Sequence, residues 1–190
     1  MLESPSSVAK NRGVVFGTVP INFGAYFSGV AGNYLLYQVG GLLNKPAVVY
    51  VIEFVPYFTP FNGMTTAIFS GDLIRPYIDP TGVFYVYIDV GPTWLFAVPL
   101  ATYLPYWNAN KRNVLVINMF DANSNLILNG TQIGASVGGV ALQNPATISF
   151  GAAIGGGTPF TGRFLSVKIF TGNTIASFLT LSEARDYYNS

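Results

Sequence analysis

Apolar residues in this chain recur at every second position, in runs that glycine, proline or asparagine soon cut short. That pattern leaves little room for long helices and asks for a stack of short strands. Phe84, Val86, Ile88 and Val90 fall on one face of such a run, with Tyr85, Tyr87 and Asp89 on the other. Val48 to Val55 is apolar on both faces apart from Glu53, as a central strand covered on two sides would be, and Val114 to Phe120 reads the same way. In Arg163 to Phe170, Leu165, Val167 and Ile169 alternate with Ser166 and Lys168. Leu126-Ile127-Leu128 meets Thr131-Gln132-Ile133 across Asn129-Gly130, a pair that accepts positive φ at both positions of a type I′ hairpin turn. One helix is expected. Thr180-Leu181-Ser182-Glu183 is a capping box, and Leu181, Ala184, Tyr187 and Tyr188 would form the apolar stripe of a helix ending near Tyr188. Gly134 to Gly157 is rich in small residues and reads as a loop, with Thr147-Ile148-Ser149-Phe150 as a strand inside it.

Composition narrows the chemistry. Only 9% of the 190 residues are charged, against about 25% in an ordinary soluble domain. Such a chain belongs in a membrane or in an assembly that buries much of its surface. Val90 to Trp107 carries no charge, but Pro92, Pro99 and Pro105 would break a spanning helix repeatedly, so short strands and aromatic loops are expected there. The first residues lack a basic stretch followed by an apolar one, so no signal peptide is expected. Net charge is +1 and the longest basic run is Lys111-Arg112, which argues against nucleic acid as a partner. The absence of cysteine excludes disulfides and thiol chemistry. Few charges would suit an acidic exterior, where carboxylates protonate and stop pairing, and argue against the ion-pair networks of many heat-adapted cytosolic proteins, so a hot or acidic habitat is the expectation.

The order of elements resembles the concanavalin A-like jelly roll in its laminin-G-like form. The resemblance rests on Ala25-Tyr26-Phe27-Ser28-Gly29 with Asn33-Tyr34-Leu35, on Val49 to Pro56, and on the Leu126 to Ile133 hairpin. It continues through Ile148-Ser149-Phe150-Gly151, Phe160 to Phe170 and the closing turn and helix from Leu179 to Tyr188. It implies an all-β fold, a two-sheet antiparallel jelly-roll sandwich with one short C-terminal helix. The polar start of the chain then reads as an N-terminal arm over residues 1–19, with the jelly-roll domain over residues 20–190.

Catalysis has little to draw on. There is no histidine for an acid–base role or a triad. Hydrolases of the resembling fold carry closely spaced acids on one strand, whereas Glu53 has no acidic neighbour and Asp72, Asp79, Asp89 and Asp121 are scattered. Glu53 therefore reads as a pairing residue or an exposed strand position. Asp121-Ala122-Asn123-Ser124-Asn125 reads as a turn in preference to the calcium site found in lectin relatives. Asn129-Gly130-Thr131 is an N-glycosylation sequon, which makes Asn129 a candidate for modification. Trp94, Tyr103, Tyr106 and Trp107 are core residues, interface residues or glycan contacts. No cofactor or metal is expected.

The first functional expectation is a non-enzymatic structural protein that self-assembles, a virion capsid or surface protein partnered by its own copies or by other proteins of the same assembly. The alternative is an extracellular carbohydrate-binding or adhesion module, with a host-surface glycan as its partner.

Overall fold

A computed structural model describes residues 25–38, 46–61, 63–71, 74–88, 93–120, 123–135, 147–153, 157–173 and 178–190. The arm expected over residues 1–19 lies outside them, as do Asp72, Asp89, Asp121 and most of the small-residue loop after Ala135.

The strands form two antiparallel layers, the jelly-roll sandwich expected. In the first layer the order is β1 (Ala25–Ser28), β13 (Thr161–Gly172), β3 (Ala47–Pro56), β9 (Asn113–Met119), β10 (Asn125–Leu128) and β11 (Thr131–Ala135). The second layer has two parts. One is β2 (Leu35–Gln38), β12 (Thr147–Phe150) and β5 (Phe69–Gly71); the other is β4 (Thr66–Ala67), β6 (Ile74–Ile78), β7 (Phe84–Ile88) and β8 (Thr93–Val98). Only Ile68 separates β4 from β5, and its N–H donates to the Pro76 carbonyl of β6 (2.9 Å). Residues 66–71 thus act as one strand that pairs with β6 along one edge and with β12 along the other. The first two segments on which the resemblance rests divide between the layers: β1 joins β13, and β2 joins β12.

The core explains the doubly apolar central strand. Val48, Tyr50, Ile52 and Phe54 of β3 face inward with Leu115 and Ile117 of β9, and pack with Phe69, Ile78, Phe84 and Phe150 of the second layer. At its centre the Phe164 ring lies 4.6 Å from Phe160, 5.5 Å from Phe150, 5.6 Å from Phe27 and 6.4 Å from Phe54. A bulge between Phe164 and Ser166 makes one correction to the alternation read above. Phe164 and Val167 both reach the core, and Leu165 is left half-buried, because one extra residue resets which side chains face inward.

The outward residues Ala47, Val49 and Val51 are covered too. Phe178, Leu179 and the helix α2 (Leu181–Asn189) lie over them through Ala184 and Tyr187 (α1 is a single turn described below). The capping box forms as expected: the Thr180 Oγ1 accepts from the Glu183 N–H (3.3 Å), and Glu183 Oε2 accepts from the Thr180 N–H (2.7 Å). The buried Asn118 fastens this segment. Its Oδ1 accepts from the Leu179 N–H (3.1 Å) and its Nδ2 donates to the Leu179 carbonyl (2.9 Å). The Asn129-Gly130 turn has φ of 49° and 74°, the left-handed pair a type I′ turn requires, and Arg185 Nε of α2 donates to the Gly130 carbonyl (3.0 Å).

Pro99 and Pro105 mark short turns in place of a long helix. The helical turn α1 (Leu100–Tyr103) begins after Pro99, and a 3-10 turn over Leu104–Tyr106 has Pro105 in its first positions. Among the described residues no helix is long and apolar enough to cross a membrane.

Candidate functional site

The hairpin of β6 and β7 carries a half-buried aromatic face on the side away from the core. Asp79 builds its turn. Its Oδ1 accepts from the Thr81 N–H (2.8 Å), the Thr81 hydroxyl (2.7 Å) and the Val83 N–H (2.9 Å). The Tyr103 hydroxyl braces the same turn from α1 by donating to the Gly82 carbonyl (2.6 Å). This acid is a turn residue, as its short side chain favours.

Ile74, Pro76 and Ile78 are buried, so Arg75 and Tyr77 take the other face of β6; Phe84 and Val86 do the same for Tyr85 and Tyr87 on β7. Register pairs Tyr77 with Tyr85 and Arg75 with Tyr87. The Tyr77 and Tyr85 rings are stacked, 5.4 Å apart and 30° from parallel. Burial first, then Tyr85 and Asp79, push the Tyr77 hydroxyl above its ordinary range; Arg75 opposes the rise and Tyr87 adds to it. These groups therefore share one electrostatic neighbourhood, and at neutral pH the phenol is protonated. Half-buried aromatic faces with hydroxyl rims suit a ligand with alternating C–H faces and hydroxyl groups. The Tyr85 and Tyr87 positions were legible as the polar side of a period-two run; Tyr77 and Arg75 gave no such signal across the intervening Pro76.

The four aromatic residues singled out from sequence separate. Tyr103 is fully buried, with ring neighbours Phe84 (5.8 Å) and Trp107 (6.2 Å). Trp107 is buried against Phe54 (5.5 Å) and Phe58 (5.6 Å), and its Nε1 donates to the Phe58 carbonyl (3.3 Å). Both are core residues, so of the three roles considered for them the structure favours burial, because α1 folds this stretch back into the end of the sandwich. Tyr106 is 40% exposed. Trp94 pairs in register with Tyr87, and its side chain lies outside the described residues.

The Asn129 side chain ties the hairpin turn to its neighbours. Its Oδ1 accepts from the Val114 N–H (2.7 Å), and its Nδ2 donates to the Tyr106 carbonyl (2.6 Å) and to Asn113 Oδ1 (3.0 Å). A glycan on Nδ2 would displace one of those two donated bonds. Ser124 accepts from the Phe120 N–H (2.9 Å), closing the turn read in that segment, whose Asp121 is outside the described residues. Among the described residues no three metal-ligating side chains come together.

Glu53 lies on the opposite layer and is a pairing residue. Arg112 donates to its Oε2 from Nε (3.1 Å) and Nη2 (3.0 Å); Ser166 donates to Oε1 (2.6 Å), and Lys168 stands 3.7 Å from the same oxygen. No second carboxylate among those contacts offers the partner that glycoside hydrolysis needs.

Two buried phenols set an alkaline limit. Burial drives Tyr50 well above its ordinary pKa, and burial followed by the Asp79 charge does the same for Tyr103. A raised acid favours the protonated native form. Its stabilisation is whole below about pH 10 and is lost as pH rises beyond that, toward the folded-state value. Melting temperature is expected to fall above about pH 10, and Tyr103→Phe is expected to blunt the fall; an unchanged slope in that variant would contradict the assignment.

No family model matches the sequence, and no curated protein is similar to it in sequence. Solved structures are similar in fold. The CBM40 module of the Ruminococcus gnavus IT-sialidase superposes with a TM-score of 0.62 at 12% identity, over 87% of this chain and 96% of the module. That module has also been solved bound to alpha2,3 sialyllactose. Domain 4 of AbnA, an extracellular GH43 arabinanase from Geobacillus stearothermophilus, solved with arabinotriose, gives a TM-score of 0.53 at 14% identity over 91% of this chain and 80% of that one. The NanB sialidase of Streptococcus pneumoniae gives 0.59 at 14% identity over 86% of this chain, which spans only 27% of the sialidase. What this chain shares with them is the antiparallel β-sandwich fold, which hosts carbohydrate-binding domains.

Proposed function

We propose that this chain is a non-catalytic carbohydrate-binding module acting at an extracellular surface, with Tyr77, Tyr85, Tyr87 and Arg75 as its sugar-binding face. The observation that carries the reading is the stacked Tyr77–Tyr85 pair on the half-buried side of a sheet whose other side is core. The fold supports it, because the chain matches the CBM40 module over nearly that module's full length. The scattered acids and the fully occupied Glu53 support the absence of hydrolysis, and Glu53→Gln is expected to leave ligand binding unchanged.

The test begins with a glycan array and continues with calorimetry on the strongest hit. Tyr85→Ala should weaken that binding at least about tenfold, equivalent to about 1.4 kcal/mol, while Tyr85→Phe keeps most of it. Unaltered affinity in Tyr85→Ala would remove this face from the site. A blank array together with blank calorimetry would remove the function.

An assembly subunit, such as the virion coat protein expected first from composition, is the second reading. It gains nothing from the structures named above. One observation favours it: Tyr26, Val30, Leu35, Leu36, Phe61 and Met64 expose between 38% and 65% of their surface. Light scattering on the full chain, and on a chain lacking residues 2–12, distinguishes an assembling protein from a monomeric module.

A further inference from the structure

We propose a second ligand site on the first layer, formed by Tyr26, Tyr57 and Arg163, that takes an acidic saccharide. It rests on the carbohydrate-binding reading but not on the tyrosine face of β6 and β7, which belongs to the other layer.

The helix α2 covers the outer side of β3 along Ala47, Val49 and Val51. Further along the same strand that cover is gone. Phe27, Phe54 and Phe164 point into the core, so Tyr26, Val55 and Arg163 point outward. Register sets Arg163 directly between Tyr26 on β1 and Val55 on β3. Tyr57 follows on the next rung, its N–H bonded to the Thr161 carbonyl (2.9 Å), and Ser28 pairs with Thr161 across β1. Gly29, at φ 76°, turns the chain away at once; a Cβ there would stand 2.1 Å from the Thr161 hydroxyl oxygen.

The resulting surface combines two chemistries. Tyr26 and Tyr57 are 59% and 40% exposed, with ring centroids 6.0 Å apart and planes tilted 38° from parallel. Arg163 is exposed and makes no ion pair or hydrogen bond among the described residues. A guanidinium whose donors no described residue takes can receive a carboxylate or a sulfate, and neighbouring phenol rings receive the C–H face of a sugar. Anion and ring together describe an acidic saccharide, with the charged group being a carboxylate or a sulfate ester.

Calorimetry on the full chain tests this with tetragalacturonic acid, its neutral methyl ester and a sulfated heparin tetrasaccharide. Wild type should bind one of the acidic probes at least about tenfold more tightly than the neutral ester, and less tightly as salt is raised. Binding to tetragalacturonic acid assigns a carboxylate, and binding to the heparin probe alone assigns a sulfate. Arg163→Gln should abolish the salt dependence and the preference for charge; Tyr57→Ala should weaken binding at least about tenfold; Tyr85→Ala should change neither. Tyr57 and Arg163 are exposed and Tyr85 is half-buried, and circular dichroism checks that each variant stays folded. Acidic-probe binding that survives Arg163→Gln, or that disappears only in Tyr85→Ala, overturns the second site. So does absence of acidic-probe binding in a protein whose Tyr85-dependent glycan binding is intact, and that result leaves the first reading standing.

Discussion

Phe164→Ala is expected to be the most damaging single substitution in the core, lowering stability by about 3–5 kcal/mol. The ring is fully buried and meets Phe27, Phe54, Phe150 and Phe160, which come from both layers and from the approach to β13. Its loss opens a cavity that no single neighbour can close, because each of those rings is held by its own strand or loop. Domains of ordinary stability hold only about 5–15 kcal/mol in total, so much of the margin disappears. For a chain of this length the melting temperature should drop by roughly 6–20 °C. Phe164→Leu keeps most of the volume and should cost distinctly less. Thermal melts followed by circular dichroism decide it, and a drop under about 2 °C in the alanine variant would mean that the cluster is not the centre of the core.

Arg112→Ala is expected to release the C-terminal helix. The guanidinium joins Glu53 Oε2 on one side to the Tyr187 (2.6 Å) and Tyr188 (2.5 Å) carbonyls at the end of α2 on the other. Those carbonyls belong to the last turn, where intrahelical partners run out and a cation also meets the favourable end of the helix dipole. After the substitution Glu53 retains Ser166 and Lys168 and the Tyr187 carbonyl retains the Ser190 hydroxyl (3.0 Å), but both carbonyls lose the guanidinium. A fully buried pair broken in this way costs about 3–5 kcal/mol; the Arg112 side chain is 31% exposed, so about 2 kcal/mol is the better expectation. Hydrogen exchange should quicken across residues 184–190 before it does in β3 or β9. Sugar binding at the β6–β7 face should be unchanged, which separates an anchoring role from a functional one.

Local chemistry carried the sequence reading furthest. The Asn129-Gly130 turn, the Thr180 capping box and the alternation through Phe84 to Tyr87 each need only a few neighbouring residues to declare themselves, and each forms as read. What was hidden depends on distant partners. Asn118 sits between the apolar Ile117 and Met119 of β9, and nothing nearby says that its amide will hold Leu179, 61 positions along. The bulge at Leu165 shifts the inward set, a change that alternation alone cannot reveal. Trp107 and Tyr103 kept three readings, core, interface or glycan contact, because the choice is decided by the turn α1 and by where Phe54 and Phe84 stand. The candidate site followed the same rule: Tyr85 and Tyr87 showed their face in sequence, while their union with Tyr77 and Arg75 came only from strand register.

The seat of α2 has a practical consequence for how the protein is displayed. The helix carries Ser190 to the outer side of the first layer, whereas Tyr77 and Tyr85 look out from the second. A bead, sensor chip or fused protein joined at Ser190 therefore stands behind the sandwich, leaving the tyrosine face turned toward solution. The Tyr26–Arg163–Tyr57 surface shares the tethered side. Immobilisation at the C-terminus should accordingly hide acidic-saccharide binding while preserving Tyr85-dependent binding, so the geometry of attachment alone can separate the two.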